Sequence, residues 1–290
     1  MNVEILRIEH LTKHFGSLCA VDDLSLTVNE GEIFGFIGPN GAGKSTTIRC
    51  VMDLLNKDGG DVFLRGKPLR RKDFSMRSVI GYLPSEVFLY EEMTVAATLR
   101  YSAGFYARVN EQKTRDLLDR LQLDTAKKVG SLSLGNLKKL GIVLSLMHDP
   151  ELVIMDEATS GLDPLMQETF YDILREEKAR GTTFFFSSHN LTEVQRLCDR
   201  VGMIREGRLK KVDAIENIVP DSVRVVTLKA DGAEALRPLS DSWEPRPDGS
   251  VRFTTKAAPD VLITALAGIA VSRLLVEEPT LEEIFLHYYR

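Results

Sequence analysis

The sequence predicts an α/β fold with a small α+β addition at its C-terminal end, and three observations carry that prediction. Glu32 to Ile37 is a short apolar strand running into the glycine-rich turn Gly38-Pro39-Asn40-Gly41-Ala42-Gly43 and then into a stretch of helical spacing. Leu152-Val153-Ile154-Met155 has the unbroken apolar character of a strand buried on both faces of a parallel sheet, and it ends abruptly in Asp156-Glu157. After Asn217-Ile218-Val219-Pro220 the pattern changes to short alternating strands and turn-rich stretches.

Composition bounds the answer. With 290 residues, 43% of them hydrophobic, the chain holds enough apolar material for one large domain and a small one. The net charge is −5, and the basic groups (Arg70-Arg71-Lys72, Lys127-Lys128, Lys138-Lys139, Lys210-Lys211) are scattered as solvated faces, so no nucleic-acid partner is expected. Cys19, Cys50 and Cys198 lack metal-site or disulfide spacing and read as small core residues in a reducing compartment. The first six residues show no secretion signal, and the longest apolar run, near Val261 to Val271, is about half of a membrane span. A cytosolic chain is expected, with any membrane role exerted through a partner.

In chain order, Ile5 to Lys13 and Leu24 to Val28 read as strands. Between them Phe15 is either an aromatic that stacks on a purine or a core residue, and His14 is a surface histidine. The strand Ile33 to Ile37 leads into Gly38, Gly43, Lys44 and Ser45, which satisfy G-x-x-x-x-G-K-[ST]. In that pattern backbone N–H groups surround a polyphosphate, a helix N-terminus faces it, the lysine reaches the β- and γ-phosphates, and the serine hydroxyl is placed for Mg²⁺. The helix is expected over Ser45 to Leu55.

Val62 to Leu64 and Ser78 to Leu83 read as further strands, and Thr94 to about Leu121 as helical. The aromatics Phe88, Tyr90, Tyr101, Phe105 and Tyr106 either pack a small core of their own or line a groove that receives a helix of another protein. Asp156 emerges where α/β sheets bind ligands and is placed to hold Mg²⁺ through water. Glu157, one residue on, is placed to orient and deprotonate an attacking water. A second apolar run, Thr182 to Ser188, ends at His189, a polar residue able to sense phosphate.

These residues, in this order, resemble the nucleotide-binding cassette of ABC transporters over roughly Val3 to Val219. The resemblance implies an α/β P-loop NTPase fold of the ABC cassette type: a mixed sheet core, an antiparallel β subdomain and a helical insertion at about 86–140, within a cassette spanning 1–219. It implies ATP and Mg²⁺ as cofactors, Phe15 as the adenine-stacking aromatic, and Gly38, Pro39, Asn40, Gly41, Ala42, Gly43, Lys44, Ser45 and Thr46 as the phosphate loop. Asp156 and Glu157 become the metal and catalytic acids, His189 the switch histidine, and Ser160-Gly161-Leu162-Asp163 a loop at the dimer interface. Leu132-Ser133-Leu134-Gly135-Asn136 takes the place of the family signature, which usually reads LSGGQ. Leu134 and Asn136 depart from it, whereas Ser133 and Gly135 keep the γ-phosphate donor and the close helix N-terminus. Ser85 stands where the family has a glutamine that meets Mg²⁺, which makes it the third metal candidate beside Ser45 and Asp156; Glu86 is a substitute.

In such cassettes two copies face each other head to tail, each ATP lying between one phosphate loop and the other signature. The resemblance therefore implies a second cassette, identical or not, and a separate transmembrane permease that holds the chain at the cytoplasmic face of the membrane. The alternative is a soluble non-transport ATPase of the same family acting in translation, DNA repair or cofactor assembly. The single cassette, acidic balance and lack of basic arms favour the transporter.

The region 220–290 reads as a small accessory α+β domain. Val223, Val225 and Thr227 alternate as a strand, and Trp243 to Gly249 is turn-rich with Trp243 a packing residue. Val251 to Thr255 and Val271 to Val276 read as strands flanking a helix near Asp260 to Ala267. A final helix is expected from Thr280, whose spacing to Glu283 is that of a capping box. This plan, including Pro279-Thr280-Leu281-Glu282-Glu283, resembles cassettes of multidrug and antibiotic exporters, whose tails help to dimerise or regulate them.

Overall fold

In the computed structural model, which describes residues 3–70, 73–218 and 223–278, the order of elements begins β1 (Glu4–Phe15), β2 (Leu18–Asn29), β3 (Ile33–Ile37), α1 (Lys44–Val51), β4 (Gly59–Leu64), β5 (Lys67–Pro68), α2 (Phe74–Arg77), β6 (Ile80–Leu83). Three helices follow, α3 (Val95–Ala103), α4 (Glu111–Arg120) and α5 (Leu134–Leu146). The chain then returns to the sheet through β7 (Leu152–Asp156), α6 (Pro164–Ala179), β8 (Thr183–Ser188), α7 (Leu191–Leu197), β9 (Arg200–Arg205) and β10 (Arg208–Ala214). The remainder runs α8 (Ile215–Ile218), β11 (Arg224–Asp231), β12 (Ser242–Pro245), β13 (Val251–Thr255), α9 (Pro259–Leu266), β14 (Ala270–Glu277). Two compact units result, Met1–Asp213 and Ala214–Arg290.

The first unit is built on the sheet β10-β9-β3-β8-β7-β6, in which the pairs β9/β3, β3/β8, β8/β7 and β7/β6 are parallel. Every residue of β3, β7 and β8 is buried, as strands covered on both faces require. Phe185 stacks on Phe34 with centroids 5.8 Å apart and lies 5.3 Å from Phe36. Burying each such ring contributes about 1.5–3 kcal/mol. Because the strands are parallel, the chain leaves β3, β7, β8 and β6 at one end of the sheet. That end gathers residues 38–46, 156–157, 188–189 and 84–85.

A second sheet, β2-β1-β4-β5, is antiparallel. Its first two strands are longer than the alternation predicts, reaching Phe15 and starting at Leu18. The first helix is shorter than predicted. It ends at Val51 because Asp53 adopts φ 55°, and Arg77 holds that turn by donating to the Met52 carbonyl (2.7 Å) and pairing with Asp53 (3.1 Å). The stretch predicted as helical to Leu121 is broken after Gly104 and restarts at Asn110, whose side chain caps α4 by accepting from Lys113 N at 3.0 Å. Behind this break Lys113 is buried between Asp149 (3.1 Å) and Glu177, tying α4 to α6.

His148, just past α5, stacks on Tyr106 with ring centroids 3.8 Å apart and planes 14° apart. Burial, with the Lys113 cation nearby, pushes its pKa down to about 4 against the opposing pull of the Ile80 backbone. The unfolded chain therefore binds the extra proton between pH 6.5 and 4, so the stability this group contributes is complete above pH 6.5 and lost as pH falls through that window. With solvent screening at the partly open ring, urea unfolding at pH 5 should give a stability lower by about 1–2 kcal/mol than at pH 7.5. His148→Phe should remove that increment; an unchanged pH slope in the variant would contradict this account.

The second unit carries the antiparallel sheet β12-β13-β11-β14. Its core is Val226, Leu228, Leu236, Val251, Phe253 and Leu262, the last from α9. Trp243 stacks on Phe253 at 5.2 Å, so the segment read as turn-rich contains a short edge strand anchored by its tryptophan. The helix expected from Thr280 lies outside the described residues.

Candidate functional site

The turn after β3 is fixed by backbone geometry. Gly43 has φ 107°, and a Cβ there would lie 2.4 Å from the Ala20 carbonyl on β2, so only glycine fits. Gly38 is equally confined, a Cβ meeting the Ile204 carbonyl of β9 at 2.4 Å. The Ala42 carbonyl accepts from Gly207 N (3.0 Å) in the turn between β9 and β10, so both sheets brace the loop. Helix α1 starts from this loop, and the N–H groups of its first turn have no intrahelical partners. Lys44 is buried, and its Nζ donates to the carbonyls of Gly38 (2.7 Å) and Pro39 (3.1 Å). Burial lowers its pKa, opposed by the charges of Glu157 and Asp156.

The loop opens on a cleft of about 640 Å³ lined by Phe15, Cys19, Asn40, Gly41, Gly43, Lys44, Ser45, Thr46 and Glu157, among others. Phe15 is 48% exposed in that wall, with the Lys13 ammonium 5.5 Å from its ring centre, which excludes the core alternative. Cys19, expected in the core, lines the same cleft as a free, half-buried thiol.

Asp156 is fully buried at the end of β7. Its Oδ1 accepts from the Ser187 hydroxyl at 2.6 Å, and its Oδ2 is buried with no partner. Among the described residues no group of three or more His, Cys, Asp or Glu side chains gathers as a metal site. This donor set fits a hard divalent cation shared among Ser45, Asp156 and phosphate oxygens, rather than one held by the protein alone. Ser85 lines a different cleft, about 480 Å³, with Glu86, Phe88, Leu134 and Ser160.

Glu157 turns out of the strand with φ 49°, a conformation that costs a non-glycine residue about 1 kcal/mol or more and is characteristic of functional positions. Its N–H donates to the Ser187 carbonyl (3.1 Å), and its Oε1 lies 3.1 Å from His189 Nδ1. The turn bearing His189 is set by buried Glu193, which accepts from Ser188 Oγ (2.7 Å) and from the Tyr171 hydroxyl (2.9 Å). Asn190 caps α7 by accepting from Thr192 N and Glu193 N.

Ser133 and Gly135 do not line the phosphate-loop cleft. Ser133 caps α5, accepting from Asn136 N at 3.3 Å, and is exposed. A Cβ on Gly135 would lie 2.7 Å from the Gly161 carbonyl, so the start of α5 packs directly on the loop Ser160–Asp163. Asp163 in turn caps α6, accepting from Met166 N at 3.0 Å. One chain therefore presents two separate surfaces: a cleft with phosphate loop, lysine and acids, and a helix N-terminus with a serine at its tip.

Three contributors escape a reading of the sequence alone: Ser187, the Glu193–Tyr171 pair, and Lys138. The Lys138 Nζ, buried on α5, donates to the carbonyls of Pro84 (3.1 Å) and Ser85 (2.7 Å). Its pKa is lowered by burial, with Asp156, Glu157 and Glu86 acting against that. Two adjacent serines ending an apolar run were the one available signal for Ser187; nothing local marks the others.

The family described as ABC transporter matches residues 21–160. The chain is similar to the Nod factor export ATP-binding protein I of Rhizobium sp. (strain N33), 32% identical over 94% of this chain and 93% of that protein. It is likewise similar to the linearmycin resistance ATP-binding protein LnrL of Bacillus subtilis (strain 168), 30% identical over 98% of this chain and 97% of that one. Among solved structures, an ATP-binding subunit of an ABC transporter superposes with a TM-score of 0.70 and 30% identity over 74% of this chain and 91% of its own.

Proposed function

The chain belongs to the ABC transporter ATP-binding proteins, ATPases whose turnover is coupled to transport, and from that membership we propose that it powers export through a separate membrane permease. The observation that carries the catalytic part is the single cleft joining Phe15, the phosphate loop and Glu157, with the buried orphan oxygen of Asp156 behind it.

In this reading Phe15 stacks on the adenine, residues 38–46 cradle the phosphates, and Lys44 exchanges its loop carbonyls for phosphate oxygens. Ser45 and Asp156 hold Mg²⁺, which when bound spreads the phosphate charge. Glu157 takes a proton from the water that attacks the γ-phosphorus as the bond to the β-phosphate oxygen breaks and ADP leaves. His189, 3.1 Å from Glu157, holds that carboxylate toward the γ-phosphate. Ser133 and Gly135 come from a second cassette, identical or not, whose helix N-terminus closes over the triphosphate. Ser85 sits apart from the cleft lining, so we assign its loop to sensing the metal side through backbone held by Lys138.

The export direction rests on relatives named for Nod factor export and linearmycin resistance. No described helix is long and apolar enough to cross a membrane, and in this reading the membrane path belongs to the permease. Phe88, Tyr90, Tyr101 and Phe105 are 49–83% exposed, and Tyr101 meets both Tyr90 and Phe105 edge to face, while Tyr106 turns inward onto His148. We assign this surface to a permease helix, which places the chain at the cytoplasmic face, with 214–290 as an accessory domain. Pull-down from detergent-solubilised membranes should recover a multispanning protein, and Phe88→Asp with Phe105→Asp should lose it. Recovery of ribosomes or DNA instead would favour the non-transport alternative.

A further inference from the structure

The outer strand of the second unit is unusual for an edge. β14 stands last in the order β12-β13-β11-β14, and all eight of its residues are exposed. Val271, Leu274, Leu275 and Val276 are each 40–44% exposed, so apolar side chains project from both faces of an edge whose outer hydrogen-bonding groups meet no strand among the described residues. Edges of this length are ordinarily blunted by lysine, proline or a bulge, because they template pairing with another chain. The bulge in β14 lies at its start, between Arg273 and Val271, which leaves Arg273 to Glu277 regular.

That regular segment carries one charge at each end. The register sets Arg273 directly opposite Lys229 of β11, with the Asp248 carboxylate near enough to feel both cations. Among the described residues neither Arg273 nor Glu277 forms an ion pair.

We infer that β14 is a pairing edge for a second copy of this chain, the two strands running antiparallel about a two-fold axis at Leu275. In that register Leu275 faces Leu275 of the second copy, Leu274 faces Val276, and Arg273 faces Glu277, the last two contacts each occurring twice. Arg273, Leu275 and Glu277 share one face and Leu274 and Val276 the other, so every cross-strand pair is apolar with apolar or cation with anion. The sheet continues across the axis into its counterpart, and the interface is self-complementary, as a closed dimer demands. This contact is separate from the nucleotide sandwich: it uses neither the phosphate loop nor Ser133, and it requires no ATP. Where both form, each raises the effective concentration for the other.

The test is sedimentation of the full chain without nucleotide and with EDTA, over 1–200 µM. A contact confined to one strand edge predicts weak, reversible dimers whose fraction rises across that concentration range. R273E alone should weaken association about tenfold or more, because two carboxylates then meet Glu277 of the second copy; E277R alone should do the same with two cations. An equimolar mixture of the two variants should restore pairing, since each then offers the charges the other lacks. S133R should change nothing in this assay. R273E should melt within roughly 2 °C of the parent, because residue 273 is exposed, which separates lost pairing from lost folding. A chain that stays monomeric at 200 µM, single variants that associate like the parent, or a mixture that fails to recover would each overturn the inference.

Discussion

Glu157→Gln is expected to leave nucleotide binding intact and to lower the steady-state rate of phosphate release by about 10²–10⁴-fold. The amide keeps the size of the carboxylate and can still meet His189, 3.1 Å away. The backbone that positions it is held independently, by the Glu157 N–H on the Ser187 carbonyl and by Asp156 on the Ser187 hydroxyl. Only the capacity to accept a proton from water is lost. Fluorescent-nucleotide titration and a coupled phosphate assay on the same preparation separate the two readouts. A variant with the parent rate would show that another group activates the water.

Ser133→Arg carries the second large effect, abolition of ATP-driven pairing and with it of turnover. Ser133 is exposed at the tip of α5, where its hydroxyl caps the helix by accepting from Asn136 N. A guanidinium there adds bulk at the surface where the partner's triphosphate would dock, while the fold behind it rests on buried α5 residues such as Leu140, Ile142 and Val143. Nucleotide binding by the variant's own phosphate loop should persist, because Ser133 is not part of that cleft. Light scattering with ATP and the Glu157→Gln background, which holds the nucleotide uncleaved, reads the loss directly.

Much of this site was legible because its information is local. A phosphate loop is a contiguous run of residues whose glycines are dictated by one turn, and Asp156-Glu157 is announced by the abrupt end of an apolar strand. The parallel order of β3, β8 and β7 then brings these runs to one edge without further instruction. What the sequence concealed depends on long-range side-chain contacts. Ser187 meets Asp156 across 31 positions, Tyr171 meets Glu193 across 22, and Lys138 reaches back 53 positions to Ser85. Helix ends were misjudged where a single backbone choice decided them, as at Asp53, whose left-handed turn depends on Arg77. The alternative readings of Phe15 and of the aromatic cluster turned on exposure, which composition does not encode.

The central claim is that each working site is made from two chains, the phosphate loop and acids of one and the serine-tipped helix of the other. Phosphate release by an equimolar mixture of Lys44→Ala and Ser133→Arg chains tests it most directly. Each variant alone should be inactive, because every site in its own dimer lacks one half. In the mixture only the hybrid dimer holds an intact site, one of its two, so phosphate release should return, to at most about half of the parent's rate. A mixture no more active than its components would contradict the account.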